Sequence, residues 1–218
     1  MLFGFDRSAA ATDQVLRRFG LSRSDLSGAG LRVLLKLAAD RDSLTERLAA
    51  AEQLADYDAL TPVFNRRAFI RELHRTLAEA ERYKTPAVVL YIDLDGFKSL
   101  NDSYGHAAGD AVLTQIGRML LDSVRETDVV GRLGGDEFGV ILNHAKPEEA
   151  RQKALLLGEK INRTAIEYAG VSHRVSASIG VHSVVAIEDP ESAIARADEA
   201  MYAMKHARRI QAEAFGAF

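Results

Sequence analysis

The segment from Arg132 to Leu142, RLGGDEFGVIL, places two glycines and two acids between apolar flanks. The glycines permit a tight turn between two short strands, so the acids Asp136 and Glu137 should stand at the tip of a hairpin. A second pair of acids, Asp93 and Asp95, ends the apolar run AVVLYI. If the hairpin lies beside that run, Asp93 and Asp136 can converge on a hard cation such as Mg²⁺, which prefers oxygen ligands.

Basic residues stand where they could meet phosphate groups. Lys98 follows the acidic end of the apolar run, and Lys205 and Arg209 lie four residues apart near the end of the chain. Residues at i and i+4 share one face of a helix, so the last two can act on one ligand. A carboxylate-held metal with lysine and arginine suits a nucleoside triphosphate, which predicts metal-dependent phosphoryl or nucleotidyl transfer. The alternative is that these are solvated surface charges.

Several common kinds of site do not occur in the sequence. There is no cysteine, which excludes disulfides, thiolate nucleophiles and zinc-thiolate sites. The stretch DLDGFKSLNDSYG lacks the acid or amide of an EF-hand at its fifth position, and no Walker A, GxGxxG, GxSxG or HExxH pattern is present. A net charge of −3 gives no electrostatic footprint for DNA or RNA, so we expect no nucleic-acid partner.

The elements that must position these residues alternate between helix and strand. Hydrophobic periodicity predicts helices over 66–83, 109–124, 146–168 and 190–209, and strands over 87–92, 129–133, 138–142 and 173–184. The tail can add a further short strand. This order predicts an α/β (α+β) domain over 59–218, with a central mixed β-sheet flanked by helices.

A long helical pattern precedes that domain. A seam of three- and four-residue steps, with Arg41 in one of its positions, predicts a coiled-coil dimerisation helix over 31–58. The small and apolar residues of this seam are Leu34, Leu37, Leu44, Leu48, Ala51 and Ala55. An amphipathic helix packed on its own domain is the alternative reading.

The N-terminal segment over 1–30 matches no sensor, and its role, including a possible protein partner, stays open. Its charges come too early for a signal peptide and no apolar run is long enough for a membrane span, so we expect a cytoplasmic protein.

Five motifs in order carry a resemblance to a known family. They are DALTPVFNRRAF, IDLDGFKSLNDSYGHAAGD, RLGGDEF, VSASIGV and ADEAMYAMKHARR, and together they cover about residues 56–210. The chain resembles the GGDEF diguanylate cyclases, which condense two GTP molecules into cyclic di-GMP. The resemblance implies a cyclase-like fold, an Mg²⁺ or Mn²⁺ cofactor, GTP as substrate and a homodimer, because the product is a symmetric ring made from two nucleotides.

The resemblance also assigns roles to matching positions. The metal ligands would be Asp93, Asp136 and the backbone carbonyl of Leu94, while Glu137 resembles a residue that assists catalysis or metal binding. Guanine would be read by Asn101 and Asp110, whose amide and carboxylate complement its edge. The phosphates would lie against the turn and meet basic side chains, which are Gly134, Gly135, Lys98, Lys205 and Arg209. The residues predicted to act in catalysis itself are Asp136, Glu137 and Lys98.

Arg125 and Asp128 match the inhibitory RxxD site of the family, at which cyclic di-GMP binds and restrains the domains. A surface ion pair is the alternative for these two residues. The sequence departs from the family pattern at Pro62 and Val63. It departs again in the last helix, where Arg208 and Ile210 occupy positions at which glycine and asparagine are common. None of these positions carries a predicted catalytic group.

Two other functions stay open at this point. One is a sensor that binds cyclic di-GMP at the RxxD site without making it, and the other is a scaffold whose first 58 residues bind a partner. Sensors of this kind typically lose the hairpin acids, whereas this chain keeps Asp136 and Glu137, which favours an enzyme.

Overall fold

The structure is a computed structural model and describes residues 5–54, 56–184 and 188–215. The chain divides into two compact units, Met1–Ala55 and Asp56–Phe218. Among the described residues, no helix combines the length and the apolar character that crossing a membrane requires.

The first unit contains two helices joined by a short 3₁₀ turn. Helix α1 is Phe5–Arg18, the turn is Arg23–Asp25 and helix α2 is Gly28–Leu54. No element was predicted over 1–30, so α1 was missed, whereas α2 agrees with the predicted helix. Gly20, with a φ of 67°, reverses the chain after α1, a backbone conformation that favours glycine.

The apolar seam predicted on α2 is divided between two environments. Ala38 of α2 and Leu16 of α1 are buried, at 4% and 2% exposure, and Leu34 is half-buried. Leu37 and Leu44 are exposed. The side chains of Leu48, Ala51 and Ala55 lie outside the described residues. The α2 helix is therefore present, and the coiled coil stays a prediction.

The second unit is built on a five-stranded sheet. The strands of this sheet are β1 Phe64–Asn65, β2 Ala87–Asp95, β3 Val129–Arg132, β4 Glu137–Asn143 and β7 Ser176–Ser183, while β5 Ile166–Tyr168 and β6 Val171–His173 form a separate hairpin. The strand order is β1-β3-β4-β2-β7. Strand β1 is parallel to β3 and the other neighbours are antiparallel, so the sheet is mixed, as predicted. The helices are α3 Arg66–Tyr83, α4 Phe97–Tyr104, α5 His106–Leu121, α6 Pro147–Arg163 and α7 Pro190–Phe215.

Several of the predicted elements differ from the structure. The helix predicted over 109–124 is preceded by a separate short helix, α4, because Gly105 turns the chain with a φ of 83°. The helix predicted over 146–168 ends at Arg163, and the chain then forms a small hairpin of β5 Ile166–Tyr168 and β6 Val171–His173. Strand β7 consequently begins at Ser176, later than predicted.

The last helix is longer than predicted. With arginine at 208 and isoleucine at 210, no glycine stops the helix at that point, and α7 continues to Phe215. Residues 211–215 are therefore helical where the sequence suggested a short strand, and 216–218 lie outside the described residues.

Helices cover both faces of the sheet, which explains the nearly uninterrupted apolar sequence of β2. Even-numbered residues of β2, such as Leu90 and Ile92, pack against α4, α5 and α6. Val89 and Tyr91 pack with side chains of α3 and α7 on the opposite face. Because strand residues alternate, Asp93 and Asp95 share the face of Tyr91.

Candidate active site

The glycine turn lies beside the acidic end of β2. Strand β4 pairs antiparallel with β2, so that Glu137 is opposite Asp93, and the backbone N–H of Leu94 donates to the carbonyl of Asp136 at 3.2 Å. Burial raises the pKa of Asp136, and the nearby charge of Asp93 raises it further. The structure therefore brings Asp93 and Asp136 together, from elements 43 residues apart in the chain (136 − 93).

An arginine and an aspartate that were not predicted as site residues hold the turn. Arg132 donates from Nε and Nη2 to the carbonyl of Gly135, at 3.2 and 2.7 Å, and from Nη1 to Asp58 Oδ1 at 3.0 Å. The same oxygen of Asp58 accepts from the backbone N–H of Thr61 at 2.8 Å. Both residues stand within recognised motifs, but nothing in their spacing indicates that they meet.

A lysine from α7 neutralises the acidic end of β2. Lys205 Nζ donates to Asp93 Oδ1 and lies 3.4 Å from Asp95 Oδ1. Ser178 donates to Asp95 at 3.0 Å and so fixes the second carboxylate. Burial alone would lower the pKa of Lys205, but the hydrogen bond and charge of Asp93 outweigh it and the pKa is raised. Lys205 therefore stays a cation within reach of Asp93. The side chain of Arg209, its predicted partner, lies outside the described residues.

Glu137 faces a different set of neighbours from Asp136. A Cβ placed on Gly134 would lie 1.9 Å from Glu137 Oε2, so the carboxylate rests against the turn in space that only glycine leaves open. Burial raises the pKa of Tyr91, which lies on the same face, and the Glu137 carboxylate raises it further. Glu137 thus lies beside the turn on the α3 and α7 face of the sheet.

On the other side of the turn lies a cavity of about 440 Å³. Five of the predicted site residues line it, together with Arg132, and they are Lys98, Asn101, Asp110, Gly135 and Asp136. Asn101 Oδ1 is buried without a hydrogen-bond partner among the described residues. An orphaned buried acceptor is costly unless a donor reaches it, so this atom indicates a ligand with an N–H or O–H group.

The donor atoms at this site fit a magnesium ion that also binds phosphate. In the described part of the chain, no group of three or more histidine, aspartate or glutamate side chains is arranged to hold a metal. Mg²⁺ is usually bound by one or two carboxylates together with substrate phosphates, and does not need an all-protein cage. The neighbouring carboxylates of Asp93 and Asp136 match that smaller requirement.

The residues of the predicted inhibitory site lie around a different cavity, of about 180 Å³. Asp128 accepts from the backbone N–H groups of Arg125 and Asn143, each at 3.0 Å, so both of its oxygens have partners within the loop. The Arg125 side chain is exposed and lines the cavity with Lys153 of α6.

Comparisons with known proteins agree on one family. The family model described as "Diguanylate cyclase, GGDEF domain" matches residues 55–211. The chain is 38% identical over 157 residues to diguanylate cyclase DosC of Escherichia coli, covering 72% of this chain and 34% of the relative. It is 33% identical over 197 residues to diguanylate cyclase TpbB of Pseudomonas aeruginosa, covering 83% and 45%. The chain thus spans less than half the length of these curated relatives.

Solved structures give the same result. The coiled coil and GGDEF domain of DgcB from Caulobacter crescentus, in complex with c-di-GMP, matches with a TM-score of 0.71 and 27% identity, covering 81% of this chain and 94% of that one. Diguanylate cyclase SiaD from Pseudomonas aeruginosa, in complex with its activator SiaC, matches with a TM-score of 0.68 and 28% identity, covering 92% and 79%.

Proposed function

The chain belongs to the GGDEF family of diguanylate cyclases, and on that premise we propose that it condenses two molecules of GTP into cyclic di-GMP and two pyrophosphates. The observation that carries this proposal is the meeting of Asp93 and Asp136 beside a cavity that contains an orphaned acceptor, Asn101 Oδ1.

Guanine recognition is the first role of the cavity. Asn101 Oδ1 would accept from the guanine edge, and Asp110 would accept from the N–H groups that remain there. Adenine offers a different donor and acceptor pattern on the same edge, so this pair favours GTP over ATP. Lys98, at the cavity wall, would meet the triphosphate.

In each half of the reaction, a ribose 3′-oxygen forms a bond to the α-phosphorus of the other GTP while the bond to pyrophosphate breaks. Asp93, Asp136 and the carbonyl of Leu94 would hold Mg²⁺ or Mn²⁺, which when bound offsets phosphate charge and makes the attacking hydroxyl easier to deprotonate. Lys205 would move its charge from Asp93 toward the phosphates, and Arg209 would add a second cation. Glu137 would assist beside the attacking oxygen or the metal.

Each copy of the chain offers one such cavity, whereas the product contains two guanosines. Two copies would therefore face each other antiparallel as a homodimer. The N-terminal helices would raise the local concentration of one domain near the other, with exposed Leu37 and Leu44 available for contact between copies.

Two further features belong to this proposal. Cyclic di-GMP would bind at Arg125 and Asp128 as a product inhibitor. A protein partner could act on the N-terminal unit, since the likeness to SiaD, which was solved with its activator, covers 92% of this chain. Because GTP is an intracellular substrate, we place the reaction in the cytoplasm.

The test is incubation of the purified protein with GTP and Mg²⁺. Wild type should form cyclic di-GMP and pyrophosphate, and Asp136→Ala should abolish both products. Asp122→Ala, at an exposed aspartate that ends α5, is the matched control and should retain activity. A wild-type protein that binds cyclic di-GMP but never forms it would be a sensor, and the cyclase proposal would be wrong.

A further inference from the structure

Helix α6 carries a large apolar side chain on its outer surface, at the edge of the sheet. Leu155 is 65% exposed and lies at the rim of a cavity of about 530 Å³, whose lining includes Ile179 and Val181 of β7 and Met204 of α7. Strand β7 is the last strand of the sheet, and side chains of α6 and α7 pack on opposite faces of it. Because residues of both helices line the cavity, it lies along the outer edge of β7.

Two opposite charges stand at equal distances on either side of Leu155. Arg151 precedes it by four residues and Glu159 follows it by four, and both line the same cavity. Residues four apart on an α-helix share a face and are about 6 Å apart along its axis. The three side chains therefore form one row, with a cation at one end, an apolar group in the middle and an anion at the other end.

The two charges of this row are only weakly paired within their own helix. Arg151 is 3.9 Å from Glu148, and Glu159 is 3.3 Å from Arg163, and the side chains in both pairs are at least 60% exposed. Exposed ion pairs of this kind contribute less than about 1 kcal/mol. Both charged side chains can therefore turn to another partner at small cost.

A row with this pattern is complementary to a second copy of itself. When two α6 helices meet antiparallel about a two-fold axis at Leu155, Arg151 of each copy comes opposite Glu159 of the other. The leucines then meet at the centre, and each covers the mouth of the cavity in the other copy. Interdigitation of i±4 rows is also the commonest way in which helices pack in globular proteins. A parallel arrangement would place like charges together, so the pattern specifies the antiparallel one.

We propose that Arg151, Leu155 and Glu159 form a self-association surface, through which two copies of the chain pair antiparallel with Leu155 on the two-fold axis. None of the three lines the guanine cavity around Asn101, so this contact is distinct from the arrangement in which two active sites face each other. An extended peptide added to the edge of β7 would explain the apolar cavity, but not the opposite charges at equal distances from Leu155. The inference does not depend on the formation of cyclic di-GMP.

Charge reversal tests this arrangement through its own symmetry. In the full chain without nucleotide, Arg151→Glu brings carboxylates together at both charged contacts, and Glu159→Arg brings cations together. Each should weaken self-association about tenfold, measured by sedimentation velocity over a range of concentrations. The double variant restores opposite charges in exchanged positions and should return to within about twofold of wild type. Association through the N-terminal helices does not respond to these charges, so the comparison among the four proteins is unaffected by it.

Disulfide cross-linking gives a second measurement, because the chain contains no cysteine. Leu155→Cys introduces a single thiol at the proposed axis, and copper-catalysed oxidation by oxygen should join two copies through it. Leu156→Cys is the matched control, because Leu156 is also exposed, at 57%, but lines the cavity beside Arg125. Leu155→Cys should cross-link at least about tenfold faster, since a disulfide requires Cβ atoms about 4 Å apart.

Four results would overturn the inference. The first is self-association that neither single charge reversal weakens, and the second is a double variant that associates as weakly as the single variants. The third is equal cross-linking of Leu155→Cys and Leu156→Cys, as expected from random encounters. The fourth is a chain that stays monomeric at every concentration, which would leave the cavity at the edge of β7 to a different kind of partner.

Discussion

Arg132 binds Asp58 at 3.0 Å with one nitrogen of its guanidinium and the carbonyl of Gly135 with the other two. Asp58 lies in the short segment by which the chain enters the second unit, and Gly135 lies in the turn that precedes Asp136. One side chain therefore ties the entry of the domain to the backbone of the glycine turn. Because glycine turns are conformationally permissive, this turn depends on the hydrogen bonds of Arg132 for a fixed geometry.

Arg132→Ala should lower kcat by about 10- to 100-fold, since it removes charge-assisted hydrogen bonds from the turn and frees the backbone before Asp136. Arg132→Lys should recover little, because an ammonium group cannot reproduce the fork that reaches both partners. Initial rates of pyrophosphate release measure the effect. Turnover at the wild-type rate in Arg132→Ala would show that the turn keeps its geometry without the arginine.

The stability of the second unit should depend on pH through Asp58. Burial opposes ionisation of this carboxylate, but its bonds to Thr61 and Arg132 outweigh burial and lower its pKa. A carboxylate with a lowered folded pKa stabilises the fold well above the unfolded value of about 3.9, and the contribution is lost as pH falls through the folded pKa.

Asp58→Asn should therefore reduce the free energy of unfolding by about 1–3 kcal/mol at pH 7. The difference from wild type should shrink as pH falls below about 4. Urea unfolding at a series of pH values gives this difference, with Asp122→Asn as a control that changes the net charge equally. A gap between Asp58→Asn and wild type that stays constant down to the lowest pH would rule out the ionised carboxylate as its cause.

Gly109 of α5 lies directly against two residues that line the guanine cavity, Asn101 and Phe97. A Cβ added to Gly109 would lie 2.0 Å from Asn101 Oδ1 and 3.0 Å from the ring of Phe97. Gly109→Ala should thus displace the Asn101 amide and raise KM for GTP by about tenfold, through loss of a hydrogen bond to guanine. Gly158→Ala on α6 is the control, because its nearest heavy atom would be at an ordinary 3.8 Å. If both variants kept the wild-type KM, Asn101 would not be a guanine contact.

Local sequence patterns predicted the elements whose structure is determined by residues close to one another in the chain. The apolar run of β2, the glycine turn and helix α3, whose cap Asn65 accepts from Ala68 N at 3.0 Å, depend on neighbours in the chain. Helix α4 was not predicted, because it is only eight residues long and contains serine, asparagine and aspartate, which disfavour helix interiors. The small hairpin of β5 and β6 was missed, because the helix predicted over 146–168 includes all the residues of β5.

The site itself was predictable only as a set of residue types. The motifs named Asp93, Asp136 and Lys205, but the ion pair between Asp93 and Lys205 joins residues 112 positions apart. The same holds for Asp58 and Arg132, which are 74 positions apart. Such contacts depend on how the elements pack, and the spacing of residues along the chain does not contain that information.

The two residues of the proposed inhibitory site should respond differently to substitution. Asp128 supports its own loop through the backbone N–H groups of Arg125 and Asn143, so Asp128→Ala should lower stability as well as inhibition. The guanidinium of Arg125 is exposed, and in the proposed site it would contact guanine or phosphate of the product.

Arg125→Ala should leave initial turnover of GTP unchanged and raise the concentration of cyclic di-GMP needed for half-inhibition by about tenfold or more, because a charge-assisted contact to the product is lost. Progress curves with added cyclic di-GMP measure this concentration. Arg118→Ala removes an exposed arginine from α5 that does not line the cavity, and it should be inhibited like wild type. If Arg125→Ala were inhibited as strongly as wild type, the cavity beside Arg125 would not be where the product acts.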